Sequence, residues 1–170
     1  MSLFYPTMLK NRITDITLEE LQAMGVKALL LDIDNTLTRH HSQELSDEVE
    51  AWLSQMEQAG IKRMLVSNSR RPRVEPFAGR IGLNFTHTSC KPLPFGFWRA
   101  SKSLGVPLKA CVAVGDQSFT DVLGAKLAGV RVIQLLPIEE EDKPSFRVRR
   151  RLEKRILDGY RRRMAKENNT

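Results

Sequence analysis

A chain of 170 residues, 41% hydrophobic and 28% charged, has the make-up of a single soluble globular domain with room for a proper core. Two cysteines, Cys90 and Cys111, exclude a disulfide framework and fit no metal-binding spacing, and no apolar run approaches the ~20 residues of a membrane-spanning helix. The net charge of +7 is concentrated at one end: eleven Lys/Arg against three Asp/Glu from Lys143 onward, leaving 16 basic and 17 acidic groups for residues 1–142. The pattern is a neutral body, 1–142, with a cationic tail, 143–170.

In chain order, "ITLEELQAMG" predicts a short helix, with Thr17 and Glu20 as a capping box and Gly25 as its stop. Residues 27–32 form an unbroken apolar run, as in a central parallel strand covered on both faces. Ser46 opens the next helix, whose apolar face is Val49, Leu53 and Met56 with Trp52 beside them, and Gly60 ends it. "RMLVS" is a second buried strand. A proline-marked helix near 72–81 and a short strand near 83–86 follow. "LPFGFWRASKSLG" reads as a helix whose Phe95, Phe97 and Trp98 are expected in the core rather than in a lipid-binding patch. Residues 110–116 read as a strand, "FTDVLGAKLAG" as a helix and "VRVIQLL" as the last strand. This βα alternation predicts a doubly wound parallel sheet of about five strands with flanking helices. "EEEDKP" (139–144) reads as a linker to the tail.

In such sheets ligands bind at the carboxyl ends of the strands. Those ends carry Asp32-Ile-Asp34, Ser67-Asn68-Ser69 and Gly115-Asp116, and Lys91 follows the third strand. Alternate residues of a strand face opposite ways, so Asp32 and Asp34 share a site only where the backbone turns after Asp32. Neighbouring carboxylates repel and call for a cation; oxygen ligands without histidine or cysteine point to Mg²⁺. Asp116 adds a carboxylate, Lys91 a fixed positive charge, and Ser67 with its following amides hydrogen bonds to anionic oxygens. That set suits phosphoryl transfer with a carboxylate as nucleophile.

"DIDNT" resembles the DxDxT signature of haloacid dehalogenase-type phosphatases. "SNS", Lys91 and "GDQSFTD" resemble their second, third and fourth motifs, in order. The likeness covers residues 27 to about 135. It implies a capless Rossmannoid fold with Asp32 as nucleophile and Asp34 as acid and then base. It also implies Mg²⁺ held by Asp32, Asp116 and the backbone carbonyl of Asp34. Ser67, Asn68 and Lys91 would hold substrate, with Asp121 supporting the metal and Thr36 the turn. The segments Thr36–Ser67 and Asn68–Lys91 leave no room for a cap domain, so an open site is expected, suited to a large substrate or to closure by a partner.

Within the capless group the chain is most similar to the class IIIA YqeG family, on "LDIDNTLT", "SNS", "GDQSFTDVLGAKLAG" and the helix before the first strand. That family is similar to the mitochondrial phosphatidylglycerophosphate phosphatases, which implies a lipid phosphomonoester. Arg70-Arg71 after the second motif departs from many relatives. A soluble sugar phosphate, a nucleotide or a nucleic-acid end stays open as substrate, and so does a basic nucleic-acid or ribosome-binding module.

Phe146, Val148, Leu152, Ile156, Tyr160 and Met164 recur mostly at fours among arginines and lysines, which predicts an amphipathic basic helix. Three partners are open to it: its own domain, an anionic phospholipid surface, or nucleic acid. The opening residues do not read as a secretory leader, so a cytoplasmic protein is expected, with the inner membrane face open to the tail. His40, His41 and His87 show no metal spacing and are expected in solvent.

Overall fold

The computed structural model describes residues 2–139 and 144–167, the side chains of 144–146 excepted. The strands are β1 (Met8–Lys10), β2 (Ala28–Leu31), β3 (Lys62–Val66), β4 (Asn84–Thr86), β5 (Cys111–Gly115) and β6 (Arg131–Leu135). The helices are α1 (Leu18–Ala23), α2 (Asp47–Gln58), α3 (Arg71–Ile81), α4 (Phe95–Leu104), α5 (Leu123–Ala128) and α6 (Pro144–Glu167). All strand pairs are parallel, in the order β1-β6-β5-β2-β3-β4. Five strands match the periodicity. The sixth, β1, is a three-residue edge against β6, too short for alternation to reveal it.

Helix starts follow local chemistry. Thr17 and Glu20 form the reciprocal capping box of α1, and the Ser46 hydroxyl accepts from Val49 at the head of α2. The apolar runs of the central strands divide by pleat. Leu29, Leu31, Leu65, Val112 and Val114 face α1–α3 in one core, while Ala28, Leu30, Met64, Val66 and Ala113 face α4 and α5 in the other. Each fully buried leucine contributes about 2 kcal/mol.

Two expectations are corrected. Phe97 is buried, but Phe95 and Trp98 are 51% and 45% exposed, because the start of α4 lies at the protein surface. In α6, Glu153, Leu157 and Tyr160 are the buried positions and Tyr160 packs edge-on against Tyr5, whereas Val148 and Leu152 stay exposed. The apolar stripe is thus divided between domain and solvent. Of the expected linker, 140–143 lie outside the described residues, as do the 142/143 boundary and the Phe146 side chain.

Candidate active site

Strand register brings the polar ends level. Leu31 pairs with Leu65 and with Val114, so Asp32, Ser67 and Asp116 emerge together at the carboxyl edge of β2, β3 and β5. The Asp32 amide still donates to Val114, and then the chain turns. Ile33 plunges into the core at 0% exposure, its carbonyl accepts from the amides of Thr36, Leu37 and Thr38, and Asn35 adopts φ 59°. This is the turn that two functional carboxylates at alternate positions require. Thr36 is buried and contributes its backbone amide; its hydroxyl has no hydrogen-bond partner among the described residues.

Lys91 Nζ, almost fully buried, donates to Asp32 Oδ1 and Asp121 Oδ1, both at 2.6 Å. Asn68 aims it: its side-chain carbonyl accepts from the Lys91 amide at 2.7 Å while its Nδ2 donates to the Lys91 carbonyl at 3.0 Å. Asn68 therefore grips the lysine loop, a positioning contact that the expected substrate-binding role did not include. Ser67 is buried, and its hydroxyl accepts from the Ser69 amide at 3.1 Å, shaping the loop after β3.

Asp121 enters from a π-helical turn, Ser118–Val122, and its Oδ2 accepts from the Gln117 amide at 3.1 Å. Its approach depends on Gly115, where a Cβ would lie 2.3 Å from Asp121 Cγ. Oxygens of Asp32, Asp116 and Asp121 lie within 4.8 Å of one another. Among the described residues Asp116 Oδ1 is buried without a hydrogen-bond partner, and an all-carboxylate oxygen set suits a hard divalent cation. These residues fit Mg²⁺.

Electrostatics follow from burial. Burial pushes Asp32 up to about 7, against the pull of Lys91. It drives Asp116 well above the usual carboxylate range, with Arg150 opposing. Burial also presses on Lys91, but the charges of Asp121 and Asp32 outweigh it and hold the ammonium above its ordinary value.

Two arginines at the site were not legible as functional in the sequence. Arg73, in α3, donates from Nη2 to Asp34 Oδ1 at 2.9 Å and to the Ser42 carbonyl at 2.8 Å, and the His41 amide adds a bond to the same carboxylate oxygen at 2.8 Å. Asp34 is thus held apart from the carboxylate trio by its own donors. His40, expected in solvent, sits with Nδ1 4.0 Å from Asp34 Oδ1. Arg150, in α6, reaches over the end of β5 and pairs with Asp116 Oδ2; its Nη1 donates to Glu153 Oε2 at 2.9 Å. Glu153 in turn accepts from the Ser118 amide at 2.9 Å, and Gln134 Nε2 donates to the Asp116 carbonyl and the Ser118 hydroxyl. One signal was present: Glu153 is a lone acid within the basic run "RVRRRLEKR".

Comparison with known proteins agrees with this geometry. A family model described as haloacid dehalogenase-like hydrolase matches residues 40–129, and one described as mitochondrial PGP phosphatase matches residues 1–73, which include Asp32 and Asp34. A Bacillus subtilis protein named "Probable phosphatase YqeG" is 33% identical over 159 residues, covering 94% of this chain and 92% of its own. A cobalt-bound deoxy-D-mannose-octulosonate 8-phosphate phosphatase from Haemophilus influenzae shares the fold at TM-score 0.55 and 16% identity, over 81% of this chain and 90% of its own. An uncharacterized protein from Listeria monocytogenes does so at TM-score 0.56 and 18% identity, over 70% and 85%. The chain belongs to the haloacid dehalogenase-like hydrolases and is a phosphatase of that superfamily, related to YqeG.

Proposed function

We propose that the protein is a Mg²⁺-dependent phosphomonoesterase acting through an aspartyl-phosphate on Asp32, with phosphatidylglycerophosphate as its substrate at a membrane surface. The observation that carries the reading is the Lys91 ammonium fixed between Asp32 and Asp121, beside an Asp116 carboxylate with one buried oxygen unpartnered among the described residues. Asp32, Asp116 and the Asp34 carbonyl would hold Mg²⁺, with Asp121 in support. The ion would supply positive charge to neutralise the phosphoryl oxygens.

The side chains divide the remaining work. Lys91 occupies Asp32 Oδ1 and leaves the other oxygen to attack phosphorus. As the phosphorus–oxygen bond to the alcohol breaks, Asp34, oriented by Arg73 and the His41 amide, gives its proton to the leaving oxygen. Asp34 then takes a proton from water, whose oxygen attacks phosphorus and releases Asp32 and inorganic phosphate. Lys91 and the Ser67 loop hold the phosphoryl oxygens throughout.

Three observations support the lipid: the match to the mitochondrial PGP phosphatase model, the absence of a cap between motifs, and exposed Phe95 and Leu93 beside the Lys91 loop. The described residues contain no helix long and apolar enough to cross a membrane, and we place the protein peripherally on the inner membrane face. The test is phosphate release from phosphatidylglycerophosphate in mixed micelles, beside a panel of soluble phosphomonoesters. Lipid-selective, Mg²⁺-dependent release, reduced at least about 10³-fold in Asp32→Asn, is expected. Turnover confined to the soluble panel would remove the lipid and keep the phosphatase.

A further inference from the structure

Helices α4 and α5 lie side by side over one face of the sheet, joined by a hydrogen bond from Trp98 Nε1 to the Ala128 carbonyl at 3.3 Å. Across that joint stand four exposed apolar side chains, Leu93, Phe95, Trp98 and Leu127, and the rings of Phe95 and Trp98 meet edge-on at 5.7 Å. They have no room to turn inward. At Gly96 a Cβ would lie 2.5 Å from Ser89 Cβ, and at Gly124 one would lie 2.9 Å from Phe97 Cε2, so the inner side of the joint is already filled. Patch and active site are continuous. An open hollow of about 430 Å³, lined by Ser89, Cys90, Phe95, Trp98 and Arg99, ends at the residue before Lys91.

The charge around the patch has one sign. Residues 86–138 contain no acid except Asp116 and Asp121, both buried in the carboxylate trio. Arg99 and Lys102 follow Phe95 and Trp98 by one helical turn each, and Lys126 precedes Leu127. None of these three cations forms an ion pair among the described residues.

We propose that the α4–α5 face seats on an anionic phospholipid bilayer, with Leu93, Phe95, Trp98 and Leu127 in the interfacial layer and Arg99, Lys102 and Lys126 at the lipid phosphates. The inference rests on the membrane reading of the substrate and adds which side of the molecule meets the lipid. An apolar centre rimmed by cations, with no exposed acid, matches an anionic surface. A second copy of this chain fits it poorly, because like charges would then face one another. The two rings supply most of the apolar area. Because Lys91 stands two residues from Leu93, a phosphomonoester at the bilayer surface reaches the ammonium without leaving the membrane.

The chain has two tryptophans, Trp52 at 5% exposure and Trp98 at 45%, so Trp98 reports contact with lipid directly. Emission of the unsubstituted protein is followed as phosphatidylcholine vesicles with and without phosphatidylglycerol are added, their acyl chains brominated as quencher. A blue shift and quenching with the anionic vesicles alone are expected. Leu93→Gln/Leu127→Gln, which keeps the reporter, should weaken vesicle binding at least about tenfold. Val148→Ser/Leu152→Ser, on the exposed side of α6, should bind as the parent does. Vesicle binding that leaves Trp98 unquenched, equal response to neutral vesicles, or no binding at all overturns the face. Phosphate release from glycerol 3-phosphate and from phosphatidylglycerophosphate micelles is measured separately. Release without docking on vesicles overturns the face and leaves the phosphatase reading intact. Docking without release from any substrate supports the face and overturns the phosphatase reading.

Discussion

Arg150 and Asp116 form an ion pair that joins the last described helix to the end of a central strand. The Asp116 carboxylate is completely buried and the guanidinium is 17% exposed, so each is the other's main compensation for lost hydration. Arg150→Ala leaves a buried carboxylate with no cation. We expect the metal-free protein to lose about 3 kcal/mol of stability, since breaking one side of a buried pair is far costlier than losing a surface one. Mg²⁺ should restore more stability to the variant than it adds to the parent, because it supplies the missing charge. Urea unfolding with EDTA and with Mg²⁺ checks both; an equal Mg²⁺ gain in the two proteins would separate Arg150 from the metal site.

Gly115→Ala tests the close approach on which Asp121 depends. The new methyl would sit on the Asp121 carboxyl, so either strand β5 or Asp121 must move. A loss of about 2 kcal/mol is expected from overpacking, with a fall in activity as Lys91 loses one anchor. Thermal unfolding and steady-state rates of the same preparation measure both. Normal activity at reduced stability would show that Asp121 is dispensable to Lys91.

Arg73→Ala tests the orientation of Asp34. With the 2.9 Å bond gone, Asp34, the proposed proton donor, keeps the His41 amide but loses its side-chain anchor. We expect kcat to fall about tenfold to a hundredfold while Mg²⁺ affinity changes little, because Arg73 touches none of the carboxylate trio. A proportionate loss of Mg²⁺ binding would assign Arg73 to the metal instead.

Proton competition gives the fourth prediction. Asp32 in the fold titrates near 7, above its unfolded value, and Asp116 and Glu153 are raised as well. The folded state therefore holds more protons between about pH 4 and 7, so these groups make metal-free stability fall as pH rises through that window. Mg²⁺ binding needs the ionised carboxylates and should strengthen in the same direction. The stabilisation by Mg²⁺ should be larger at pH 8 than at pH 6, read by unfolding midpoints in matched buffers.

The sheet and the gathering of polar side chains at its carboxyl edge could be read because both repeat in sequence. Buried strands appear as apolar runs, and Asp32, Ser67, Lys91 and Asp116 follow them at fixed places. What could not be read depends on elements distant in sequence. Arg73 is one of several arginines after β3, and only folding brings it to Asp34. Arg150 is one of eleven basic residues in the tail, selected by the helix phase that buries Glu153 and Leu157. Asn68 was expected at the site for its substrate; its grip on the Lys91 backbone could not be read, since only folding brings that loop to it.

Both outer strands of the sheet, β1 and β4, are only three residues long. Short edges offer few free amides and carbonyls to another sheet, which guards a wholly parallel, strongly apolar sheet against stacking edge to edge. On one side that guard is the N-terminal segment, tied on by Thr7, whose amide donates to the Val132 carbonyl and whose hydroxyl accepts from the Val132 amide. Removing the first ten residues would leave the five-residue strand Arg131–Leu135 as the rim, buried in the intact protein at every position but its first. The shortened chain should then assemble into β-rich aggregates even where Asp32, Asp116 and Asp121 remain in place.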